Sequence, residues 1–282
     1  MLKKITLATL LLAMLASCKK EKSLDTIRDG EPPVFVGNNC TISQILTVDS
    51  LTGIGLEAHN ISFNAAGIAS RVTVIDSILN DVYVDDILTN RNDTIIVGNL
   101  GFFVKNSNGQ VRLFRFKEDP TDPATELIDM TFSYNSAGYL IKTEYAYAAS
   151  FFPLLRSTYT YTGNNLTKAV TESLFPVTEK IIESDLTYSS QTVRNFIYTF
   201  PDAFYTAAYL PAVPFGNKSA NALQKVATRY YDNGTVVDSA ITTYKNYKLS
   251  NDGYVLEFYA DGDYQDGMGL YFERTKFKYF CR

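Results

Sequence analysis

Apolar and polar positions alternate one by one over most of the chain after residue 33. In residues 139–147 the odd positions carry Tyr, Ile, Thr, Tyr and Tyr, whereas Lys142 and Glu144 occupy even positions. The same alternation recurs in three further segments, residues 158–162, 196–200 and 254–258. A period of two residues predicts β-strands, and no convincing period of 3.6 residues, typical of helices, follows the N-terminal region.

Turns of a shared design separate these segments: an aromatic residue, two or three small polar residues, and then Gly or Asn. They occur at residues 63–67, 134–138, 161–165 and 231–234, with looser copies at 105–109 and 250–253. Gly and Asn tolerate the positive φ of a tight hairpin, and the aromatic residue supplies a cross-strand contact. Tyr134, Tyr161 and Tyr188 follow one another at equal spacing, close to the length of one hairpin and its return. The chain is therefore predicted to be all-β, an antiparallel β-meander of repeated hairpins that is curled or closed into a barrel-like sheet.

The N-terminus has a different pattern, with Lys3 and Lys4 before an apolar run over residues 5–16. The run is too short for a transmembrane helix, which needs about 20 apolar residues, and suits a secretory signal. The sequence Leu-Ala-Ser-Cys at 15–18 resembles the lipobox of bacterial lipoproteins, which implies cleavage after Ser17 and lipidation of Cys18. We thus expect a signal peptide at 1–17, a lipidated, charged tether at 18–33 and one β-meander domain at 34–282.

Two further cysteines remain, Cys40 and Cys281. An even number of thiols in an oxidising compartment favours a disulfide. Such a bond places the first and last strands side by side, which favours a closed sheet. The alternative is two independent buried thiols.

The composition supports a strand-rich fold and argues against one class of binding partner, nucleic acid. The chain has 20 Tyr and 18 Phe but no Trp, and its apolar fraction of 46% is ample for a core. Its net charge is only −4, without a long basic run outside the signal and tether, so nucleic acid is a poor partner. Charged positions such as Lys142, Glu144 and Arg274 argue against a wall that faces lipid.

The aromatic-Asn/Asp-x-x-Gly turns resemble the tyrosine-aspartate (YD) repeats of RHS-type proteins, which build long sheets of successive hairpins. Together with the lipobox and the Cys-Lys-Lys-Glu-Lys start at 18–22, the chain is more closely similar to uncharacterised lipoproteins of Bacteroidota, a domain of unknown function with a porin-like fold. This resemblance implies an architecture and an outer-membrane lipoprotein, on the periplasmic or cell-surface face, without an activity.

Candidate chemistry is sparse. His59 is the single histidine, and no Gly-x-Ser-x-Gly motif accompanies it, so we expect a surface histidine on a strand or turn rather than a catalytic one. Asp261, Asp263 and Asp266 are a weak calcium candidate, because their spacing fails the EF-hand pattern, and a hairpin loop kept soluble by its charge is the favoured interpretation. We predict no catalytic residues, metal or cofactor.

Asp followed by Ser or Thr and then an aliphatic or Thr residue resembles the O-glycosylation acceptor sequence of exported Bacteroidota proteins. The acceptors would be Thr26, Ser50, Ser77, Thr94 and Ser239. The alternative is that Asp-Ser and Asp-Thr simply favour turns and strand entry.

Two functional hypotheses follow. The first is a non-enzymatic, lipid-anchored module that scaffolds or binds a protein or glycan at the cell envelope, with the membrane contacted through the N-terminal lipid only. Its tyrosines suit glycan stacking, although the lack of Trp favours cross-strand ladders instead. The second is an envelope hydrolase acting on glycans with carboxylates that meet only in the folded protein.

Overall fold

Sixteen antiparallel strands, each paired with its neighbours in chain order, form a closed barrel. The computed structural model describes residues 40–117, 119, 121–122, 125–194, 196–201, 203, 205–263 and 273–281. The proposed lipidation site Cys18, the tether and Thr26 lie outside these residues. The strands are β1 (Cys40–Val48), β2 (Gly55–Phe63), β3 (Ala69–Asp76), β4 (Asp81–Arg91), β5 (Thr94–Val97), β6 (Gly101–Lys105), β7 (Val111–Lys117), β8 (Leu127–Tyr134), β9 (Leu140–Tyr147), β10 (Pro153–Thr162), β11 (Asn165–Ser173), β12 (Glu179–Thr192), β13 (Asn221–Asp232), β14 (Thr235–Leu249), β15 (Val255–Gly262) and β16 (Glu273–Cys281).

The barrel closes where β1 pairs with β16. Cys40 lies opposite Cys281 in this pair, and their sulfurs are bonded at 2.05 Å. The predicted all-β meander and the disulfide are therefore confirmed, and of the two forms left open, curled or closed, the sheet is closed. Among the sixteen strands that the structure describes, closure leaves none with a free edge to pair with another chain.

The strand directions give the barrel two different ends. One end, here called the turn end, holds the start of β1, the end of β16 and the short turns at 63–69, 105–111, 134–140, 162–165 and 249–255. The opposite end, here called the loop end, holds the connections that follow the odd-numbered strands. The two ends differ in how their apolar residues are covered.

The predicted turns have the expected backbone chemistry. Gly138 has a φ of 82° and donates its N–H to the Asn135 carbonyl at 2.9 Å, while the Asn135 side chain accepts the N–H of Tyr139 at 3.0 Å. Asn64 accepts the N–H of Ile68 in the same way, also at 3.0 Å. In both turns the side-chain oxygen of Asn thus accepts a backbone N–H of the turn, which closes the hairpin through a local contact.

The aromatic residue before such turns also ties strands together. Tyr134 donates its hydroxyl to the Val111 carbonyl at 2.6 Å. Two further tyrosines repeat this contact one strand back, Tyr247 to Leu223 at 2.7 Å and Tyr279 to Val255 at 2.6 Å. In each pair the acceptor is at or near the first residue of the preceding strand, so the tyrosines fasten the turn end of the wall.

The two faces of the wall differ in polarity. Inward side chains include the fully buried Phe103, Phe114 and Phe116 of β6 and β7. Outward side chains form cross-strand ion pairs, such as Arg115 with Asp129 at 2.6 Å. Among the described residues, no helix is long and apolar enough to cross a membrane.

Candidate functional site

The long connection between β12 and β13, residues 193–220, folds back into the barrel. We call its described residues (193–194, 196–201, 203 and 205–220) the inner segment. It contains a short 3₁₀ helix, Ala207–Tyr209, but no strand. The predicted strand at 196–200 is therefore wrong. Residues of both parities are buried there because the segment lies between opposing walls rather than within one sheet.

Aromatic contacts place the inner segment against walls on several sides. Phe196 packs edge-on against Phe258 and Phe277 of β15 and β16 at 5.9 and 5.8 Å. Phe200 packs against Tyr159 of β10 at 5.2 Å between ring centroids.

The opposite wall is contacted in the same way. Phe215 packs against Phe103 at 5.9 Å and Phe132 at 5.4 Å, and it is completely buried. Tyr209 packs edge-on against Phe103 at 5.7 Å and Phe114 at 6.1 Å. Among the described residues, the interior of the barrel is thus occupied by the inner segment, with aromatic side chains at these contacts.

The inner segment is hydrogen-bonded to the turns at the turn end of the barrel. Asn217 donates its backbone N–H to the Gly138 carbonyl at 2.8 Å and its side-chain amide to the Ala137 carbonyl at 2.6 Å. Gly216 has a φ of 88°, and a Cβ there would lie 2.5 Å from the Gly138 carbonyl oxygen. Only glycine allows this approach, so the turns and the inner segment lock together.

The three equally spaced tyrosines, Tyr134, Tyr161 and Tyr188, lie around the inner segment at the turn end of the barrel. Tyr188 contacts two inner-segment hydroxyls, Thr199 at 3.1 Å and Ser219 at 3.0 Å. Tyr198 donates its hydroxyl to the Gly216 carbonyl at 2.8 Å. Burial raises the pKa of Tyr188 and Tyr198, so both rings stay neutral.

A cavity of about 540 Å³ opens at the turn end of the barrel and is lined by Tyr139, Tyr198, Lys218 and Ser219 among others. The Lys218 ammonium lies 4.9 Å from the centre of the Tyr198 ring. Burial lowers the pKa of Lys218 to about 8. This cavity combines a cation, hydroxyls and aromatic rings, which suits a small polar ligand.

A second cavity, about 640 Å³, lies on the β4 side of the barrel and is lined by Tyr83, Asp86, Gly98 and Tyr209 among others. Tyr209 donates its hydroxyl to the Asp86 carboxylate at 2.6 Å. Burial and this hydrogen bond raise the pKa of Tyr209. The neighbouring Asp85 forms an ion pair with Arg71 instead. The two adjacent carboxylates therefore have separate partners.

Inward hydroxyl residues pair across the strands in the other half of the wall. Ser157 lies 2.9 Å from Thr171, and Ser184 lies 2.8 Å from Thr228, measured between hydroxyl oxygens. All four residues are buried. These pairs satisfy buried polar atoms, as cross-strand ladders do.

Glu183 is the centre of an ion-pair network on the outer face. It contacts Lys168 at 2.8 Å, Lys180 at 2.5 Å and Arg229 at 2.6 Å. Hydrogen bonds from Lys168, and then from Lys180, lower the pKa of Glu183 to about 2. Three cationic side chains thus surround one carboxylate on the outer face of the wall.

His59 is not at the surface, so that expectation is wrong. It points inward from β2, is buried, and its Nε2 lies 2.7 Å from the Glu57 carboxylate. Its strand partners Ile45 and Val74 are also buried, because all three positions face the interior.

The carboxylates of the weak calcium candidate, Asp261 and Asp263, contact different partners within the protein. Asp261 pairs with Lys245 at 2.7 Å, and Asp263 accepts the backbone N–H of Ile241 at 2.8 Å. Asp266 lies outside the described residues. Within residues 40–263 and 273–281, apart from the gaps given above, no group of three metal-ligating side chains occurs.

The glycosylation candidates do not form one site. Ser50, Ser77 and Ser239 are exposed, while Thr94 is half-buried. Asp49 accepts the N–H groups of Leu51 and Thr52, at 3.0 and 2.6 Å, so this Asp-Ser sequence does occupy a turn. Modification of these residues stays a prediction.

Sequence reasoning missed the inner segment. A signal was present: apolar residues of both parities at 196–200, followed by Pro201, Pro211 and Pro214, which do not suit a central strand.

The fold is shared with known structures, whereas no family model and no curated protein sequence matches the chain. A crystal structure of a porin-like protein from Bacteroides uniformis superposes with a TM-score of 0.56 at 17% identity, over 85% of this chain and 98% of that one. A porin-like protein from Bacteroides vulgatus gives a TM-score of 0.51 at 11% identity, over 85% and 98%. At these identities the comparison establishes the barrel fold alone.

Proposed function

We propose that this protein is a lipid-anchored protein of the cell envelope that binds or scaffolds, and that it neither conducts solutes nor catalyses a reaction. The observation that carries this proposal is the occupied interior. Phe196, Tyr209 and Phe215 of the inner segment take the volume that a solute would need.

The polarity of the wall supports the same proposal. A transmembrane barrel has an apolar outer band and a polar lumen. Here the Glu183 network and the Arg115–Asp129 pair lie outside, and the phenylalanines of β6 and β7 lie inside, beside a second half of the wall whose inward hydroxyls pair with one another. The lipobox-like sequence at 15–18 and the shared porin-like fold then favour an envelope protein held at the membrane by Cys18.

A carboxylate hydrolase receives less support. Asp85 and Asp86, the two carboxylates lining the cavity on the β4 side, are committed to Arg71 and Tyr209. The cavity beside Lys218 offers hydroxyls and rings instead, which favours binding of a small polar or glycan ligand. The YD-like turns serve as hairpin closures in this proposal and carry no activity.

Two measurements test the proposal. The intact mass of the native protein should correspond to residues 18–282 plus acyl groups, and additional sugar masses would assign the Ser and Thr acceptors. A chain that keeps residues 1–17, or lacks acyl mass, contradicts lipid anchoring.

The second measurement is osmotic swelling of vesicles that contain the purified protein in solutions of small sugars. We expect swelling no faster than in protein-free vesicles. Rapid swelling would contradict a filled barrel and assign a channel function.

A further inference from the structure

Exposed apolar side chains concentrate at the loop end of the barrel. They lie in six separate connections or in the first residues of the strands that follow them, and we call them together the apolar rim. The apolar rim consists of Leu51, Ile54, Ile78, Leu79, Val82, Tyr83, Leu127, Phe151, Phe152, Phe175, Val177, Val236 and Val237. Isolated exposed apolar residues are ordinary, but a set gathered at one end of a molecule marks an interaction surface.

Local structure presents these side chains at the tips. Asp76 accepts the N–H groups of Ile78 and Leu79 at 2.7 and 2.9 Å, as Asp49 does for its own turn. Each carboxylate is therefore turned back into its loop, while Leu51 and Leu79 project, 96% and 72% exposed.

Four of the six tips are uncharged, whereas the β7–β8 connection carries Asp119, Asp122 and Glu126, and the β13–β14 turn follows Asp232. Residues 50–54, 77–80, 150–153 and 174–178 contain no Asp, Glu, Lys or Arg. The first two contain Leu and Ile, and the last two contain phenylalanines, of which Phe152 meets Phe175 of the neighbouring loop at 4.8 Å between ring centroids. Uncharged tips with aromatic side chains suit the boundary between lipid headgroups and acyl chains.

The shape of the apolar rim favours a lipid surface over a protein partner. A protein interface needs a continuous, closely packed patch of about 800 Å² on each partner. Here the apolar residues lie on separate loops distributed around the loop end, from Leu51 after β1 to Val236 at the start of β14. Separate projecting tips penetrate a fluid bilayer one by one without a complementary surface.

The tether allows this contact. About 22 residues between Cys18 and Cys40 span at most about 3.3–3.6 Å each, or roughly 75 Å. The nine residues of β1 rise only about 30 Å from the turn end to the loop end. A chain anchored at Cys18 therefore has enough length for its loop end to reach the same bilayer.

We propose that the apolar rim inserts its loop tips into the surface of a phospholipid bilayer, which gives the protein a second membrane contact besides the N-terminal lipid. The inference rests on the proposed lipid anchoring only for bringing the protein to the membrane. The insertion itself is a property of the loop end.

Because the chain contains no Trp, a single introduced Trp reports its own surroundings. We would compare Leu51→Trp and Phe151→Trp at the apolar rim with Ile68→Trp, an exposed residue at the turn end, each in the full native chain. The probe is a phosphatidylcholine vesicle with or without brominated acyl chains. Flotation selects the vesicle-bound protein before fluorescence is read.

We expect both rim reporters to shift to shorter emission wavelength on vesicles and to lose at least about half of their intensity to brominated lipid, while Ile68→Trp does neither. Two rim reporters protect the test against one variant that folds poorly. Flotation without quenching of either rim reporter overturns the inference and leaves the anchor intact. Equal quenching of all three reporters also overturns it, since the loop end would then not be the membrane face.

Lipidation of Cys18 is tested by a separate measurement, the intact mass of the protein. An unacylated chain whose rim reporters are still quenched on vesicles supports insertion and contradicts anchoring. Rim reporters that shift only when envelope proteins are added would assign the apolar rim to a protein partner instead and overturn the lipid proposal.

Discussion

The two ends of the barrel differ in whether aromatic side chains near the connections are buried or exposed. At the turn end, Phe215 lies beside the turns and is completely buried under Phe103 and Phe132. At the loop end, Phe151 also lies in a connection, yet it is 79% exposed. The difference comes from the inner segment, which covers the turn end from within. An aromatic residue near a turn therefore has a structural role at one end and is available for binding at the other.

The largest effect expected from this comparison is on core stability. Phe215→Ala should lower the free energy of unfolding by about 3–5 kcal/mol, because it removes a fully buried ring and leaves a cavity. Phe151→Ala is the matched control and should change it by no more than about 0.5 kcal/mol. Denaturant unfolding with the disulfide intact measures both, and equal losses would contradict the difference between the ends.

Removal of the disulfide should have the next largest effect. Cys40→Ser combined with Cys281→Ser should cost about 2–5 kcal/mol, because the bond closes the barrel between its first and last strands. The same unfolding measurement under non-reducing conditions tests this. An unchanged midpoint would mean that pairing of β1 with β16 alone is sufficient.

The contact between Gly216 and the turns gives a smaller effect with a close control. Gly216→Ala should cost about 2–4 kcal/mol, because the new methyl group meets the Gly138 carbonyl in addition to the strain of positive φ. Gly253 has a similar φ of 85° but open space around it, so Gly253→Ala should cost only about 1–2 kcal/mol. If the two variants lose equal stability, the inner segment is not seated against the turns.

The smallest effect concerns the outer wall and depends on pH. The folded-state pKa of Glu183 is lowered from 4.5 to about 2, so its network stabilises the barrel above about pH 4.5, and this contribution disappears as pH falls towards 2. Glu183→Gln should therefore cost about 1 kcal/mol at pH 6 and almost nothing near pH 2. Thermal unfolding at a series of pH values measures the difference, and a constant difference would contradict the charge-based explanation.

The fold was largely predictable because each strand carries its own signal. Alternation at 139–147 marks a wall strand, Asn135 and Gly138 close their turn locally, and two cysteines at opposite ends of the domain indicate closure. These are short-range properties, apart from the disulfide, and sequence displays them directly.

The interior was not predictable in the same way. The alternation of Phe196, Tyr198 and Phe200 by itself predicts a strand, and the contrary signal, Ile197 and the prolines that follow, does not show that the segment lies between opposing walls. His59 likewise looked like a surface residue, because the direction in which β2 faces depends on its register with β1 and β3. The candidate cavities depend on contacts between residues far apart in the chain, such as Tyr209 with Asp86.

Hydrogen exchange of the inner segment tests the central claim most directly. The backbone N–H groups of Leu210, Val213 and Asn217 are hydrogen-bonded within the barrel, and that of Phe215 is donated to the Tyr198 hydroxyl at 3.0 Å. We predict that these amides exchange as slowly as those of the wall strands β7 and β8. Exchange within seconds, with the wall strands still protected, would show that the interior is open and would contradict the account.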